Sequence, residues 1–523
     1  MNQRQRPVAM IILDGFGIAP TKSSNAISVA QTPFFDSLVT RYPTFLLEAS
    51  ELNVGLPRGE VGNSEVGHTT IGSGILEYQS LPRIDRSIST GAFFKEPELI
   101  RVAEKIKKTD GKLHLVGLIG NGGIHASQEH LEALITFAKK NNIWKKTFIH
   151  AFLDGRDTPK NVATYFIDKL LAYTKDQHIA TIGGRFYGMD RNLKWERTEQ
   201  AYRAIVDGVS AQTFKHPIKA IESYYAEHIY DEEIPPTVIT NIWGKPLATV
   251  EPGDVIIYFN FRADRGRQLT EAFVDTQFQA FQTKELGDID VITFTEYKKG
   301  LPVSILFPTS PIQNPMTKVI SDYNLKQLHV AETEKYAHIT FFLNGRHETP
   351  FAGEQRILVP SPNVPSYDQT PEMSAHEMTR QILQEIQSDK QDFYAINYAN
   401  PDMVGHTGNI SACVKAIETV DTCLAQVIQA IVNKGGIAFI MSDHGNAEEM
   451  INLSTGQMDK EHNIYPVPFI IVGDSFHGQS PLAIKQPDLS YIPPIGILAD
   501  IAPTILKTMG LNIPKEMTGT SLI

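Results

Sequence analysis

The sequence predicts an α/β fold in which a parallel-sheet domain carries a second α/β domain inserted in it. Short apolar runs alternate with helical patterns along the chain, which is typical of parallel α/β architecture. At 523 residues the chain is too long for one hydrophobic core. Acidic or basic side chains follow many of the apolar runs directly, where open α/β sheets hold their sites.

Three runs form the first series: VAMIIL before Asp14, FYAINYAN before Asp402 and IAFIMS before Asp443. Each is interpreted as a fully buried strand with an acidic residue just past its carboxyl end. The carboxyl ends of parallel strands share one sheet edge, so we expect the three aspartates to converge.

A second series lies between them: LHLVGLIG before His125, FIHAFL before Arg156 and Asp157, IATIGG before Arg185, and VIIYFNF before Arg262 and Arg265. Residues 127–141 carry apolar side chains on one helical face. We interpret residues 82–308 as an inserted domain. Residues 1–78 and 312–523 then form one discontinuous domain.

After the insertion, Thr370 and Pro371 predict the start of a helix, and a second helix is expected over about 410–434. Cys413 and Cys423 fall in this second helix, where ten residues separate them by about 15 Å. A disulfide needs Cα atoms within roughly 7 Å, so no intrachain bridge is expected. This usage favours a reducing, cytoplasmic compartment.

The formal net charge of −11 argues against non-specific binding to nucleic acid or to anionic membranes. No apolar stretch approaches the roughly 18 residues of a membrane span. An anionic substrate would therefore need a local cluster of arginines.

The metal-ligand candidates are Asp14, the Asp402-x-x-x-His406 pair, the Asp443-His444 pair and His462. Mixed Asp/His sets suit Zn, Mn or Fe, while purely carboxylate sets favour Mg or Ca. The alternative is that Asp443-His444 only caps the next helix. Two pairs and Asp14 at matching strand ends favour the metal interpretation.

The loop from Gly55 to Gly74 is rich in glycine around Ser64. Such a loop allows close approach of backbone to a ligand. Ser64 is a candidate nucleophile activated by a metal, since no serine–histidine pairing is evident near it in the sequence. A serine in a glycine-rich loop is otherwise a common turn former.

Five arginines lie at or shortly after predicted strand ends of the inserted domain, beside His125 and Asp157: Arg156, Arg185, Arg191, Arg262 and Arg265. Guanidinium groups bind phosphate and carboxylate bidentately, so an anion pocket is predicted. Asp157 is either a base acting on a substrate hydroxyl or a salt-bridge partner of Arg156. Lys335 could be a solvated lysine, and nothing local argues otherwise.

Several long strings then carry a family resemblance: ILDGFG, GNSEVGH, HAFLDGRDTP, FNFRADRGRQLT, AETEKYAHITFFLNG, NYANPDMVGHTG and SDHGNAEEM. The chain resembles the cofactor-independent phosphoglycerate mutases, which belong to the alkaline phosphatase-like metalloenzymes. The resemblance runs in order from about Met10 to the C-terminus. Asn121 stands where the family often has Asp, the stretch after Asn344 is unusual, and the loop around His462 reads KEHNIYPVP rather than the usual Thr-rich version.

The resemblance implies interconversion of 3-phosphoglycerate and 2-phosphoglycerate in glycolysis and gluconeogenesis, through a phosphoserine at Ser64. It implies two divalent cations, with Mn2+ favoured over Mg2+, and no 2,3-bisphosphoglycerate. One cation would be held by Asp402, His406 and His462, and the other by Asp14, Ser64, Asp443 and His444. The implied substrate residues are His125, Arg156, Asp157, Arg185, Arg191, Arg262, Arg265 and Lys335, with Ser64, Asp157, His125 and Lys335 as the catalytic groups. A monomer is expected.

Three alternatives stay open at this point. The same scaffold could carry a metal-dependent phosphatase or sulfatase with water as the acceptor, or a phosphopentomutase-like enzyme. A catalytically inactive metal-binding protein is the non-enzyme alternative, although every expected ligand is present.

Overall fold

The computed structural model describes residues 6–20, 24–175, 178–309, 311–452, 454–479 and 488–523. Within these ranges, no helix has both the length and the apolar character needed to cross a bilayer.

The strands, in chain order, are β1 (Val8–Leu13), β2 (Thr44–Glu48), β3 (Leu113–Ile119), β4 (Thr147–Leu153), β5 (Ile179–Gly184), β6 (Thr213–Phe214), β7 (Thr237–Ile239), β8 (Val255–Tyr258), β9 (Asp290–Thr293), β10 (Ser304–Ile305), β11 (Gln327–Glu332), β12 (Glu354–Val359), β13 (Phe393–Tyr398), β14 (Ile437–Met441), β15 (Val467–Val472) and β16 (Gly496–Ile497).

The α-helices are α1 (Ala26–Val29), α2 (Pro33–Arg41), α3 (Ser64–Ser73), α4 (Ser80–Ser89), α5 (Pro97–Thr109), α6 (Gln128–Lys140), α7 (Ala163–Thr174), α8 (Arg185–Gly188), α9 (Trp195–Val206), α10 (Pro217–Ala226), α11 (Arg267–Val274), α12 (Met316–Asp322), α13 (Ala375–Ser388), α14 (Asn400–Gly405), α15 (Ile410–Asn433) and α16 (Ile501–Thr508). A π-helical turn spans His338–Phe342.

The chain divides into two compact units, each with its own sheet. The first unit comprises Met1–Gln79 and Pro311–Ile523. Its described strands form a sheet in the order β12-β11-β13-β1-β14-β15-β2-β16. Pairing is parallel from β12 to β14, whereas β15 runs antiparallel to both of its neighbours, β14 and β2.

Strand β1 lies in the middle of this sheet, and both of its faces are covered. Ala9, Ile11 and Leu13 pack into one hydrophobic cluster. Val8, Met10 and Ile12 pack into a second cluster on the other face. Burial on both faces explains why the strand is continuously apolar instead of alternating.

The second unit comprises Ser80–Ser310. Its described strands form a sheet in the order β10-β9-β8-β3-β4-β5-β7-β6, which is parallel except where β5 meets β7. Helix α6 agrees with the prediction for residues 127–141, and Ser127 caps it by accepting a hydrogen bond from the backbone of Glu129.

Two helix predictions for the first unit had different outcomes. The predicted helix start at Thr370-Pro371 is wrong, because α13 begins at Ala375. Met373 has a φ of 44°, a left-handed conformation that no right-handed helix can include. Helix α15 is confirmed. Cys413 and Cys423 within it are free, as predicted, and both are also buried.

Candidate metal centre and anion site

Ser64 is the first residue of helix α3. The prediction of a loop from Gly55 to Gly74 is therefore wrong for its second half, which is helical from Ser64 to Ser73. The side chain of Asn63 caps the helix by accepting a hydrogen bond from the backbone of Val66. Ser64 is 6% exposed. A helix N-terminus carries a partial positive charge, so this position favours an oxyanion or a phosphate on the serine.

Ser64 belongs to a group that we call the serine cluster: Asp14, Ser64, Asp443 and His444. The serine Oγ lies 2.9 Å from Nε2 of His444 and 3.4 Å from Oδ1 of Asp14. Nε2 of His444 is also 3.4 Å from Oδ2 of Asp443. The histidine beside Ser64 is 380 positions away in the chain, so local sequence shows no serine–histidine pairing, and the contact agrees with the ligand group that the resemblance implies.

The second group, the histidine cluster, consists of Asp402, His406 and His462. Oδ1 of Asp402 lies 3.3 Å from Nε2 of His406 and 3.2 Å from Nε2 of His462. The two Nε2 atoms are 3.1 Å apart. The rings of His444 and His462 stack with their centroids 3.9 Å apart, so the two clusters adjoin.

Hydrogen bonding fixes the tautomers of the histidine cluster and tests whether a cation fits. Nδ1 of His406 donates to the carbonyl of Lys460, and Nδ1 of His462 donates to the carbonyl of Gly62. In the neutral imidazoles both Nε2 lone pairs then face each other and Asp402, so three acceptor atoms converge. Histidine ligands usually donate their other ring N–H in this way, so the donor set fits a divalent metal.

The serine cluster passes a similar test. Oδ2 of Asp443 is buried and completes no hydrogen bond to the described residues, although Nδ1 of His68 lies 3.1 Å and Nε2 of His444 lies 3.4 Å from it. Ligand atoms of Asp14, Asp443 and His444 lie within 4.8 Å of one another, as do those of the histidine cluster. An orphaned buried carboxylate oxygen is costly unless a cation compensates it.

Lys335 lies between the two clusters, and the interpretation of it as a solvated lysine is wrong. Its Nζ donates to Oδ1 of Asp14 at 2.6 Å, to Oγ of Ser64 at 2.7 Å and to Oδ2 of Asp402 at 2.6 Å. Burial by itself would lower the pKa of this ammonium, but the two carboxylates outweigh burial and raise the pKa above its usual range. Lys335 is therefore a permanent cation beside the serine hydroxyl.

Lys335→Met is expected to destabilise the metal-free protein by about 3–5 kcal/mol, because it leaves buried carboxylates without their cation. Added Mn2+ should restore part of the loss. Urea unfolding with and without Mn2+ measures both effects. Lys318→Met, which breaks the exposed helical pair with Asp322, is the control and should change stability by about 0.5 kcal/mol or less. Equal losses of stability in Lys335→Met and Lys318→Met would contradict the role of Lys335 as the cation that compensates the buried carboxylates.

Two glycines let the loops of the site approach each other. Gly15 has a φ of 72°, and a Cβ there would lie 2.8 Å from the Cα of Asp402. A Cβ on Gly67 would lie 2.7 Å from the carbonyl oxygen of Asp443. Side chains at either position would push the proposed ligands apart.

The second unit holds the arginines at the ends of its strands. Arg185 follows β5 and is 1% exposed; its Nη1 lies 2.6 Å from Asp154 and 2.5 Å from Asp157. Arg156 instead lies 3.6 Å from Glu232. The interpretation of Asp157 as the partner of Arg156 is therefore wrong, because the buried guanidinium of Arg185 takes that carboxylate.

The pKa of Arg265 reflects the high density of positive charge around it. Burial and the neighbouring guanidinium groups, Arg185 first among them, lower its pKa. Arg191 and Arg262 lie 2.8 and 3.5 Å from Asp264, so one carboxylate partly compensates both. A surplus of guanidinium groups around one point favours an anionic ligand.

His125 lies in the same site and is 4% exposed. Its Nε2 is 3.9 Å from Asp157, and its Nδ1 is 3.7 Å from Asp264. Burial, and then the charge of Arg185, lowers the pKa of His125 to about 4. The imidazole is therefore neutral near pH 7 and is able to accept a proton.

The structure brings the predicted residues together in two groups. In the first unit these are Asp14, Ser64, Lys335, Asp402, His406, Asp443, His444 and His462. In the second unit these are His125, Arg156, Asp157, Arg185, Arg191, Arg262 and Arg265.

Sequence reasoning missed several polar groups behind these residues: His68, Asn397, Asn446, Asp154 and Asp264. Asn446 donates to Oδ1 of Asp402 at 2.8 Å. Asp154 accepts from the backbone of Arg156 and Asp157. All five lie inside or beside the quoted strings. Two were also signalled by spacing: His68 is one helical turn after Ser64, and Asp264 separates two of the arginines.

A family model described as the metalloenzyme superfamily matches residues 6–513. Fold and site thus define a metal-dependent enzyme of that superfamily. Three curated relatives are each named 2,3-bisphosphoglycerate-independent phosphoglycerate mutase. Those from Chloroflexus aurantiacus and Clostridium beijerinckii are 45% and 46% identical, with 99% of each chain covered. The third, 2,3-bisphosphoglycerate-independent phosphoglycerate mutase 1 from Methanosarcina acetivorans, is 44% identical over 100% of this chain and 99% of its own.

Among solved structures, the phosphoglycerate mutase of Leishmania mexicana is similar, with 29% identity, a TM-score of 0.53, and 99% of this chain and 98% of that chain covered. The chain belongs to the 2,3-bisphosphoglycerate-independent phosphoglycerate mutase family, within the metalloenzyme superfamily.

Proposed function

We propose that this chain interconverts 3-phosphoglycerate and 2-phosphoglycerate by passing the phosphoryl group through Ser64. The observation that carries the proposal is the environment of the serine hydroxyl. It lies at a helix N-terminus and contacts His444, Lys335 and Asp14 within a set of converging ligand atoms. Family membership adds dependence on divalent metal and independence from 2,3-bisphosphoglycerate.

Two cations are proposed, one at each cluster. Asp402, His406 and His462 would hold one, and Asp14, Ser64, Asp443 and His444 the other. Mn2+ is proposed over Mg2+ because imidazole nitrogen is a better ligand for Mn2+ than for Mg2+. When bound, such cations would neutralise charge on the phosphoryl oxygens and favour the deprotonated serine.

The first transfer forms a bond between Oγ of Ser64 and phosphorus and breaks the bond from phosphorus to the 3-oxygen of the substrate. Ser64 loses its proton, and the 3-oxygen gains one. The ammonium of Lys335 donates to Oγ at 2.7 Å and would stabilise negative charge on it.

In the second transfer the 2-hydroxyl of glycerate attacks the phosphoserine, which yields 2-phosphoglycerate and returns Ser64 to its hydroxyl form. One substrate oxygen thus gains a proton and the other loses one. We propose that His125 and Asp157 carry out these proton transfers to and from the substrate oxygens. The neutral state of His125 supports its role as an acceptor.

The arginines of the second unit are proposed to bind the carboxylate and the phosphate of the substrate: Arg156, Arg185, Arg191, Arg262 and Arg265. Retention of glycerate between the transfers separates a mutase from a phosphatase, because water must not reach the phosphoserine. We propose the second unit as the substrate-binding domain and the first as the metal-binding domain. We also propose a cytoplasmic monomer.

An enolase-coupled assay with 3-phosphoglycerate and no added 2,3-bisphosphoglycerate tests the proposal. We expect 2-phosphoglycerate to form with little net release of phosphate, and colorimetric phosphate detection runs in parallel. Phosphate release without isomerisation would indicate a hydrolase on the same scaffold. The absence of both reactions, in protein that binds Mn2+, would indicate an inactive metal-binding protein.

A further inference from the structure

His68 and Asn397 form a buried polar pair behind the serine cluster. Both side chains are fully buried, at 0% exposure. His68 lies on helix α3, one turn after Ser64, and Asn397 lies on strand β13. The reaction proposed above gives neither residue a role.

The hydrogen bonds of Asn397 determine which ring nitrogen of His68 carries the proton. Its Nδ2 lies 2.7 Å from Oδ2 of Asp14 and 3.0 Å from Nε2 of His68. A carboxylate accepts here, so the amide nitrogen donates to Asp14 with one hydrogen and to His68 with the other. Nε2 of His68 is thereby an acceptor, and the ring proton resides on Nδ1.

The Nδ1 proton of His68 faces the backbone of Ser64 and the carboxylate of Asp443. Nδ1 of His68 donates to the backbone carbonyl of Ser64 at 2.9 Å and lies 3.1 Å from Oδ2 of Asp443. The pair therefore connects Asp14 at one end with the backbone of Ser64 and the carboxylate of Asp443 at the other. All three belong to the serine cluster.

We propose that His68 and Asn397 are positioning residues that hold Asp14, Ser64 and Asp443 in place for one divalent cation. The inference rests on the proposed function, since the cation is the one assigned there to the serine cluster. Outer groups that orient ligands in this way typically change metal affinity by 10- to 100-fold when they are removed.

His329 offers a matched comparison within the same unit. It is also fully buried, and its Nδ1 donates to the carbonyl of Ile339 while its Nε2 lies 3.2 Å from Gln327. None of its hydrogen bonds within the described part of the chain reaches a proposed metal ligand. His329→Leu therefore removes a buried, hydrogen-bonded histidine without touching the serine cluster.

The test is titration of the metal-free full chain with Mn2+ by calorimetry, for wild type, His68→Leu, Asn397→Leu and His329→Leu. We expect wild type to bind two ions. In His68→Leu and Asn397→Leu one of the two sites should lose about 10- to 100-fold in affinity, and the other should change less. His329→Leu should retain both affinities, even if its unfolding midpoint falls.

Two further measurements separate positioning from stability. Urea unfolding of each metal-free variant reports structural loss alone, and Asn397→Leu stands in if His68→Leu does not fold. His68→Gln keeps one amide donor and one acceptor, so it should lose less Mn2+ affinity than His68→Leu.

Unchanged affinity at both sites in the His68 and Asn397 variants would overturn the inference, as would an equal loss in His329→Leu. With an active wild type that binds two Mn2+ ions, those results leave the proposed function standing. A wild type that binds no Mn2+ would overturn both.

Discussion

Ser64→Ala is expected to lower the rate of isomerisation by about 10^4-fold or more, which is the scale of losses when a nucleophile is removed. The fold should persist, because the hydroxyl of Ser64 is not its helix cap; Asn63 has that role. The enolase-coupled assay measures the rate, and incubation with 32P-labelled 3-phosphoglycerate detects the phosphoserine. Neither product nor label should appear with the variant.

Ser73→Ala is the matched control. Ser73 is a buried serine at the other end of the same helix. Among the described residues its Oγ hydrogen-bonds only locally, with the carbonyls of Thr70 and Ile75 and with the backbone N–H of Ile75. The activity of the Ser73→Ala variant should stay near that of wild type. Substantial isomerisation by Ser64→Ala would exclude the covalent route, whatever happens to the control.

Removal of divalent metal is the second large effect. Charge stabilisation by bound cations is worth several kcal/mol, so chelation should lower activity by at least about a thousandfold. Restoring Mn2+ should recover the activity, and restoring Mg2+ should recover less of it. Added 2,3-bisphosphoglycerate should have no effect under any of these conditions.

Lys335 makes this experiment interpretable, because its ammonium still pairs with Asp14 and Asp402 when the metal is gone. The metal-free enzyme should therefore stay folded, and circular dichroism after chelation checks this. Activity that is unaffected by chelation and requires 2,3-bisphosphoglycerate would contradict the proposal that the two clusters bind catalytic metal ions.

Much of the fold followed from local pattern. The run VAMIIL is apolar at every position, and in the structure it is a central strand with both faces covered. Convergence of Asp14, Asp402 and Asp443 was predicted because parallel strands end at one sheet edge. In the structure Asp14 and Asp443 lie in one group of possible ligands, and Lys335 contacts both Asp14 and Asp402. The start of α13 escaped prediction because the left-handed conformation of Met373 leaves no hydrophobic pattern.

The sequence by itself determined the α/β class, the family resemblance and the residue types of the candidate site. Only the tertiary structure decided that Lys335 is buried against Asp14, 321 positions away, and that Asn397 reaches Asp14 across 383 positions. It likewise paired Asp157 with Arg185 instead of with its neighbour Arg156. The periodicity of apolar residues shows which face of a helix or strand is buried. The partner of a buried charge instead depends on the order of the strands in the sheet, because that order decides which distant strand ends become neighbours.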